Sequence, residues 1–203
     1  MRLGCSPKEI VMKYIGKDFS KLFTMKDFSE TLLQNHFILY QGYVKNVNRL
    51  SESLDTMFLD GHSPCIEYAK IKRRLGWEFN CMRLHELYFE SLGGNGIRDP
   101  ESPLSDKVGG SFGHWDQWED DFKSKAAERG DGWVGLFQDK TSGHMRNHWM
   151  NECDSGYPDG YSPILIMDVY EHAFKQDYGS KCESYIDAFF SNIDWMLVGS
   201  RMV

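Results

Sequence analysis

The chain has 203 residues, of which 41% are hydrophobic and 14% aromatic, so it can bury the core of one large domain or two small ones. Its net charge is -7 and the acidic groups are scattered, which argues against nucleic acid as a partner, because phosphate binding depends on clustered Lys and Arg. No apolar run approaches the roughly 20 residues needed to cross a bilayer, so no direct membrane span is expected.

The cysteines are odd in number, far apart in sequence and without a CxxC pair. They are Cys5, Cys65, Cys81, Cys153 and Cys182. We therefore expect no disulfide framework, and we predict a reducing intracellular compartment, either the cytoplasm or the mitochondrion.

The first half of the chain has the apolar spacing of helices. From about Ser29 to Leu50, apolar and aromatic residues recur at steps of three and four, with Ser29 or Thr31 as the candidate cap. A second helix is predicted from near Glu67 to Leu92, where the run Gly93-Gly94-Asn95-Gly96 ends it. Two long helices with a short connection predict an antiparallel hairpin.

The second half has a mixed pattern. We interpret residues 94–111, which contain two Pro and several Gly, as a linker, and Asp116–Arg129 as an amphipathic helix. Three β-rich runs follow at Trp133–Gln138, His144–Glu152 and Pro163–Val169, with a hairpin turn at Asp139–Gly143 and closing helices around Tyr170–Tyr178 and Glu183–Val203.

The pattern predicts an α+β fold, with an N-terminal long helical hairpin followed by a C-terminal α/β domain that carries a three-stranded antiparallel sheet. We place the two domains at residues 1–95 and 96–203, with a single metal site between them.

The most informative local feature is the pair Asp168 and His172, four residues apart where a β run passes into a helix. At this spacing a carboxylate and an imidazole can converge as two ligands of a transition metal, although such pairs are also common as surface ion pairs or helix caps. His36 and His85 lie on apolar helix stripes, where a histidine is often a core residue bonded to a backbone carbonyl. Together the four residues form a ligand set that suits iron or manganese.

Longer motifs carry a family resemblance. The run Asp168-Val-Tyr-Glu-His-Ala-Phe, with Asp177-Tyr and Tyr185-Ile-Asp-Ala-Phe-Phe-Ser-Asn-Ile-Asp-Trp after it, resembles the C-terminal signature of iron/manganese superoxide dismutases. The pattern there is D-x-W-E-H-A-Y, then D-Y and Y-I-x-x-F-W-x-x-x-N-W. Upstream, His85-Glu-Leu-Tyr-Phe-Glu-Ser-Leu is similar to the family's N-H-x-x-F-W-x-x-L helix, and Tyr43-Val-Lys-Asn-Val-Asn is similar to its Y-V-x-x-L-N stretch.

The resemblance implies a role for each matching residue. His85, Asp168 and His172 fall on metal-ligand positions, and Glu171 falls on a glutamate that crosses a dimer interface to the partner's ligand histidine. The resemblance also assigns Tyr43 to the gateway of the substrate funnel, as the catalytic tyrosine, and Trp133 and Tyr170 to the aromatic shell around the metal.

The first ligand is where the chain departs from the family spacing. The family's first ligand lies eight residues before the gateway tyrosine, a position that Asn35 occupies here, whereas His36 lies seven before Tyr43. We favour His36 as the ligand and expect a one-residue helix bulge to re-register the face.

The surroundings of the site also depart from the family. Cys81 and Cys153 stand at the two places from which the family's glutamine or histidine holds the metal-bound solvent, and a thiol is a weak substitute because it hydrogen-bonds poorly. A gateway histidine is replaced by Tyr40 or Leu39, and its tyrosine partner across the dimer by Lys175.

The resemblance implies one iron or manganese per chain, superoxide as the substrate, oxygen and hydrogen peroxide as products, and a homodimer. The alternative is a dismutase-like structural subunit of a larger protein assembly with weak or no activity. A metal hydrolase with the same ligands is a third candidate, against which stands the lack of an accompanying general base or nucleophile.

Overall fold

The structure, a computed structural model, describes residues 13–63, 65–128 and 130–203. A 3₁₀ helix, Ser20–Thr24, precedes two long helices, α1 (Glu30–Leu59) and α2 (Ile66–Glu90). The remaining elements, in chain order, are α3 (Pro103–Phe112), α4 (Trp115–Ala126), β1 (Trp133–Asp139), β2 (Met145–Met150), β3 (Tyr161–Asp168), α5 (Glu171–Tyr178), α6 (Cys182–Ser191) and α7 (Trp195–Gly199). The predicted α+β fold, a helical hairpin followed by an α/β region with a three-stranded antiparallel sheet, is confirmed.

The start of α1 is fixed by a side-chain cap. Ser29, one of the two candidate caps, accepts a hydrogen bond at Oγ from Leu32 N at 3.0 Å, and its hydroxyl donates to Asp177 Oδ1 at 2.7 Å. Asp177 Oδ2 also accepts from Ser29 N at 2.6 Å. The same carboxylate therefore joins the start of α1 to the end of α5, and it brings two elements that are distant in sequence together.

The end of α2 is clamped by an arginine near the C-terminus. Arg201 Nη1 donates to Ser91 Oγ at 2.8 Å and to Ile164 O at 3.0 Å, and Nη2 donates to Leu87 O at 3.1 Å. Its side chain is only 12% exposed. These bonds satisfy carbonyls at the helix end and join α2 to β3.

The sheet has the strand order β2-β1-β3, with both pairs antiparallel. Trp133 in β1 lies opposite Asp168 at the end of β3, so the register sets the carboxylate beside an aromatic ring. Gly135 lies under the side chains of Phe137 and Ile166, and an added Cβ would meet them at 2.5 and 2.6 Å. This close packing explains a glycine within a buried strand.

Two sequence predictions are wrong in detail. Most of α3 lies in the segment that was predicted as a linker. Ser102 Oγ caps this helix by accepting from Ser105 N at 3.2 Å. Pro103 opens the first turn, where its missing N–H removes no hydrogen bond of the helix. The last predicted helix is divided into α6 and α7, with the turn around Asn192 between them.

The two halves of the fold share contacts, since α2 packs against both α1 and β3, and α1 packs against α5. The division into domains 1–95 and 96–203 stays a prediction. Among the described residues, no helix is long and apolar enough to cross a membrane.

Candidate metal centre

Four side chains from four elements converge at one point. They are His36 from α1, His85 from α2, Asp168 from the end of β3 and His172 from α5, and their potential ligand atoms all lie within 4.8 Å of one another. Around Asp168 Oδ2, the Nε2 atoms of His172, His36 and His85 lie at 3.0, 3.2 and 3.7 Å. Three imidazoles therefore point at a single carboxylate oxygen, which is the arrangement of a mononuclear metal centre.

Asp168 is held both through its carboxylate and through its backbone. Its Oδ1 accepts from Tyr170 N at 2.9 Å, and its backbone carbonyl accepts from the Tyr185 hydroxyl at 2.5 Å. Tyr88 shares a hydrogen bond of 3.2 Å with that hydroxyl. With Oδ1 so occupied, Oδ2 is free to face His36 and the other imidazoles. Neither Tyr185 nor Tyr88 was predicted in this role, although Tyr185 lies in the C-terminal signature.

His85 is oriented by its own helix. Its Nδ1 lies 2.7 Å from Cys81 O, and since a carbonyl only accepts, Nδ1 carries the hydrogen and Nε2 carries the lone pair. Among the described residues that Nε2 is buried without a hydrogen-bond partner, and burial, with the nearby charge of His36, lowers the pKa of His85 to about 3. A neutral imidazole with an unsatisfied, buried lone pair fits a metal ligand.

The pKa values of Asp168, His36 and His172 depend on one another. Burial raises the pKa of the Asp168 carboxyl, but the opposing effects of His172 and His36 hold it well below its usual range. Burial lowers the pKa of His172, and the carboxylate raises it by more, whereas burial prevails at His36, whose pKa is lowered. The group therefore provides one carboxylate and three imidazoles that can bind a cation through their lone pairs, and any proton on a binding atom would be released to solvent.

The structure brings His36, and not Asn35, into this group. The His36 side chain is 1% exposed, whereas Asn35 is exposed and donates from Nδ2 to Gln176 Oε1 at 2.9 Å. Helix α1 is α-helical throughout Glu30–Leu59, so the expected bulge is absent from it. None is needed, because seven residues are about two turns and His36 lies on the same face as Tyr43.

Aromatic rings surround the imidazoles. Trp133 meets His85 edge-on at 4.9 Å between ring centroids, and Tyr170 stacks on His172 at 5.4 Å and 14°. Tyr43 lies 5.0 Å from the His85 ring, with Trp77, which the sequence analysis did not single out, 5.9 Å beyond it. His85 is buried beneath these rings, whereas the His172 side chain stays one third exposed.

The polar groups of Tyr40 and Glu171 are paired with residues outside the four-ligand group, and the dimer-interface role of Glu171 stays a prediction. The Tyr40 hydroxyl donates to Glu86 Oε1 at 2.9 Å and accepts from Lys17 N at 2.9 Å, so its polar atom is engaged with the segment before α1. Glu171 is exposed and pairs within its own helix with Lys175 Nζ at 2.7 Å.

The two cysteines predicted to stand separately near the metal are joined. Cys81 in α2 and Cys153 in the loop after β2 form a disulfide across 72 residues, so the expectation of no disulfide is wrong. Their distance in sequence concealed the pair, whose Cα atoms lie 5.1 Å apart only once α2 packs beside the sheet. Within the described part of the chain Cys65 and Cys182 are free, and Cys5 lies outside it.

The fold and this ligand set define a mononuclear metalloprotein with three histidines and one aspartate, and comparisons with known proteins identify its family. Residues 100–201 match the family model for the C-terminal domain of iron/manganese superoxide dismutases. The chain is 33% identical over 193 residues to "Superoxide dismutase [Fe]" of Cupriavidus metallidurans, covering 94% of each chain. It is 33% identical to "Superoxide dismutase [Fe]" of Aquifex aeolicus, covering 94% of this chain and 92% of the relative. It is also 32% identical to "Superoxide dismutase [Mn] 1" of Halobacterium salinarum, covering 82% of each.

The chain belongs to the iron/manganese superoxide dismutase family, as the sequence motifs indicate. Both iron and manganese enzymes are among its relatives, which agrees with a ligand set that either metal can occupy.

Proposed function

We propose that the chain catalyses the dismutation of superoxide, in which two superoxide anions and two protons give one oxygen and one hydrogen peroxide. One iron or manganese ion would be held by His36, His85, Asp168 and His172. The observation that carries the proposal is the convergence of three imidazole Nε2 atoms on one buried carboxylate oxygen, in a chain of this family.

When bound by these four residues, the metal would supply one-electron redox chemistry for the two superoxide anions. The protein's part is to fix the ligands and their basicity. Cys81 O sets the tautomer of His85, and Tyr170 N fixes the rotation of the Asp168 carboxylate. Such contacts outside the ligands tune both metal affinity and redox potential.

Tyr43 is proposed as the proton-handling group beside the metal. Burial, followed by the negative charges of Asp168 and Glu78, raises the pKa of its phenol to about 12. At neutral pH the hydroxyl keeps its proton and can donate a hydrogen bond to a superoxide or peroxide anion. Reduction of the second superoxide requires two protons, so a phenol at this place shortens their path.

Arg74 is proposed to favour the approach of the anion. Its guanidinium lies 4.1 Å over the Trp77 ring and pairs with Glu78 Oε1 at 2.7 Å, and its positive charge acts on the Tyr43 hydroxyl. Arg74 and Trp77 line a cleft of about 470 Å³ on this side of the molecule. A cation at the cleft would attract superoxide, and the attraction would weaken with salt.

A homodimer is the proposed assembly. Glu171 and His172 open α5 side by side, and the His172 side chain is one third exposed. In the family, a glutamate at the position of Glu171 reaches the partner's ligand histidine. Glu171 pairs with Lys175 within its own helix, and both side chains are exposed on the surface of α5 that would form the two-fold interface.

The alternative of a structural subunit in a larger assembly is not favoured, because the relatives are named superoxide dismutases and the similarity extends over most of their length. We retain a reducing intracellular compartment, the cytoplasm or the mitochondrion, as the proposed location, with the free thiols of Cys65 and Cys182 in its support. In such a compartment a disulfide is usually redox-active and seldom a static cross-link.

The ligand set is tested by neighbouring substitutions on α1. His36→Ala removes the buried imidazole and should abolish both metal retention and superoxide consumption, whereas Asn35→Ala alters an exposed side chain and should leave both unchanged. Metal content and initial rate are measured on the same samples. Loss of metal in Asn35→Ala with retention in His36→Ala would contradict the proposed ligand set.

A further inference from the structure

We infer that the Cys81–Cys153 disulfide positions the ligands of the proposed metal centre, so that metal retention depends on the redox state of this cysteine pair. The inference rests on the proposed function, because it takes His36, His85, Asp168 and His172 as the ligands. It assigns the two cysteines a role that neither has separately.

One connection between the disulfide and the ligands runs along α2. Cys81 and His85 are one turn apart, and the backbone carbonyl of Cys81 is the acceptor that orients the His85 imidazole, at 2.7 Å. The side chain of the same residue is the attachment point of the disulfide. Movement of the helix backbone at Cys81 therefore rotates the imidazole, and the disulfide restrains that movement from outside the helix.

A second connection between the disulfide and the ligands runs along the loop that carries Cys153. The backbone carbonyl of Asn151, two residues before Cys153, accepts from the Tyr170 hydroxyl at 3.2 Å. Tyr170 stacks on His172 at 5.4 Å and its backbone N–H holds the Asp168 carboxylate. One end of the disulfide, Cys81, thus supports His85. The other end, Cys153, lies in the loop that bonds to Tyr170, the residue that contacts His172 and Asp168.

A third contact joins the same two elements. Trp77 in α2 donates from Nε1 to Glu152 Oε2 at 3.2 Å, and its ring faces Tyr43. This hydrogen bond is exposed, so it contributes little by itself to holding the loop against α2. The sulfur–sulfur bond is the strong link between the loop and the helix.

The disulfide is buried but not remote from the surface. Cys81 is 0% and Cys153 is 3% exposed, and Cys153 lines a cleft of about 310 Å³ together with Tyr157 and Pro163. A small dithiol can enter such a cleft. It would reduce the disulfide to two thiols and become a disulfide itself, so that two electrons and two protons pass to the cysteine pair.

The test compares two double variants that remove the same number of cysteines. Cys81→Ser/Cys153→Ser deletes the disulfide, and Cys65→Ser/Cys182→Ser deletes the two thiols that are free among the described residues and serves as the matched control. Each is purified with its metal, and the half-time of metal loss to a chelator is measured with the visible absorption spectrum of the oxidised metal. We expect the disulfide variant to lose metal about 10-fold faster than wild type, with an altered spectrum, and the control to match wild type.

A second measurement covers the case in which the disulfide variant folds poorly. Wild-type protein treated with a dithiol should show the same faster metal loss, and reoxidation should restore the original half-time. The control variant should respond as wild type does, because it keeps the disulfide.

The outcomes separate the two claims. Wild-type protein that retains metal and consumes superoxide, but whose metal loss and spectrum are unchanged by disulfide deletion or reduction, overturns the inference alone. A lower melting temperature with unchanged metal loss and spectrum also overturns it, since that result shows a purely structural cross-link. Wild-type protein that holds no iron or manganese overturns the proposed function, and the inference with it.

Discussion

Acid should destabilise the metal-free protein through His85. In the fold this imidazole is neutral and buried, with its pKa lowered to about 3, whereas an imidazole in an unfolded chain has a pKa of about 6.5. Since the folded pKa lies below the unfolded one, the unfolded state binds more protons between these values. The free energy of unfolding therefore falls as the pH is lowered through that window.

The size of the effect follows from the two pKa values. Between pH 7 and pH 5 the unfolded imidazole becomes almost completely protonated, while His85 in the fold stays neutral, which costs about 2 kcal/mol of stability. His36, whose pKa is also lowered, acts in the same direction, and His172, whose pKa is raised, acts against it. The lowered pKa of Asp168 matters only below this window, because stability from a depressed carboxyl is lost below its unfolded pKa near 3.9.

The assay is urea unfolding of chelator-treated protein at pH 7 and pH 5. Wild type should lose about 2 kcal/mol more between the two pH values than His85→Gln, which lacks the titrating group. His62→Gln, which changes an exposed imidazole in contact with water in both states, should follow wild type. An equal pH dependence in wild type and His85→Gln would refute the burial of a neutral imidazole at this position.

Three further substitutions test the surroundings of the site. Arg201→Met removes a nearly buried guanidinium and should cost about 3 kcal/mol of stability, which lowers the melting temperature by roughly 6–12 °C. Arg146→Met, on the exposed face of β2, should change the melting temperature by little. Equal shifts in the two variants would contradict the stabilising role of Arg201 at the end of α2. Asp177→Asn weakens the contacts to Ser29 and should cost about 1 kcal/mol in urea unfolding, so an unchanged midpoint would argue against a stabilising cap. Tyr43→Phe should keep its metal, measured by elemental analysis, but consume superoxide about 10-fold more slowly. That factor corresponds to the loss of one hydrogen bond of about 1.4 kcal/mol. Loss of metal in this variant would instead assign the phenol to metal binding.

The sequence predicts those parts of the site in which residue type and spacing carry the signal. Asp168 and His172 are recognisable because both stand in one short motif, at a strand-to-helix junction that the β pattern indicates. The choice between Asn35 and His36 is different, since it depends on which face of α1 meets α2. The structure settles that packing, with His36 inside and Asn35 exposed.

Other features depend on distances that the sequence does not encode locally. The Cys81–Cys153 disulfide closes a separation of 72 residues, and no short motif announces it. Helix α3 was concealed by composition, because the Pro and Gly that usually mark a linker are tolerated at its first turn and on its solvent side. Arg201 likewise has no local signal, since its partners come from α2 and β3.

The most direct test of the central claim is the metal content of the purified protein, measured by elemental analysis on the same sample as superoxide consumption. The comparison is with His172→Ala, which removes one imidazole from Asp168 Oδ2. The account predicts about one iron or manganese per wild-type chain, and turnover that the substitution abolishes. Wild-type protein without either metal, or turnover that survives in His172→Ala, would contradict it.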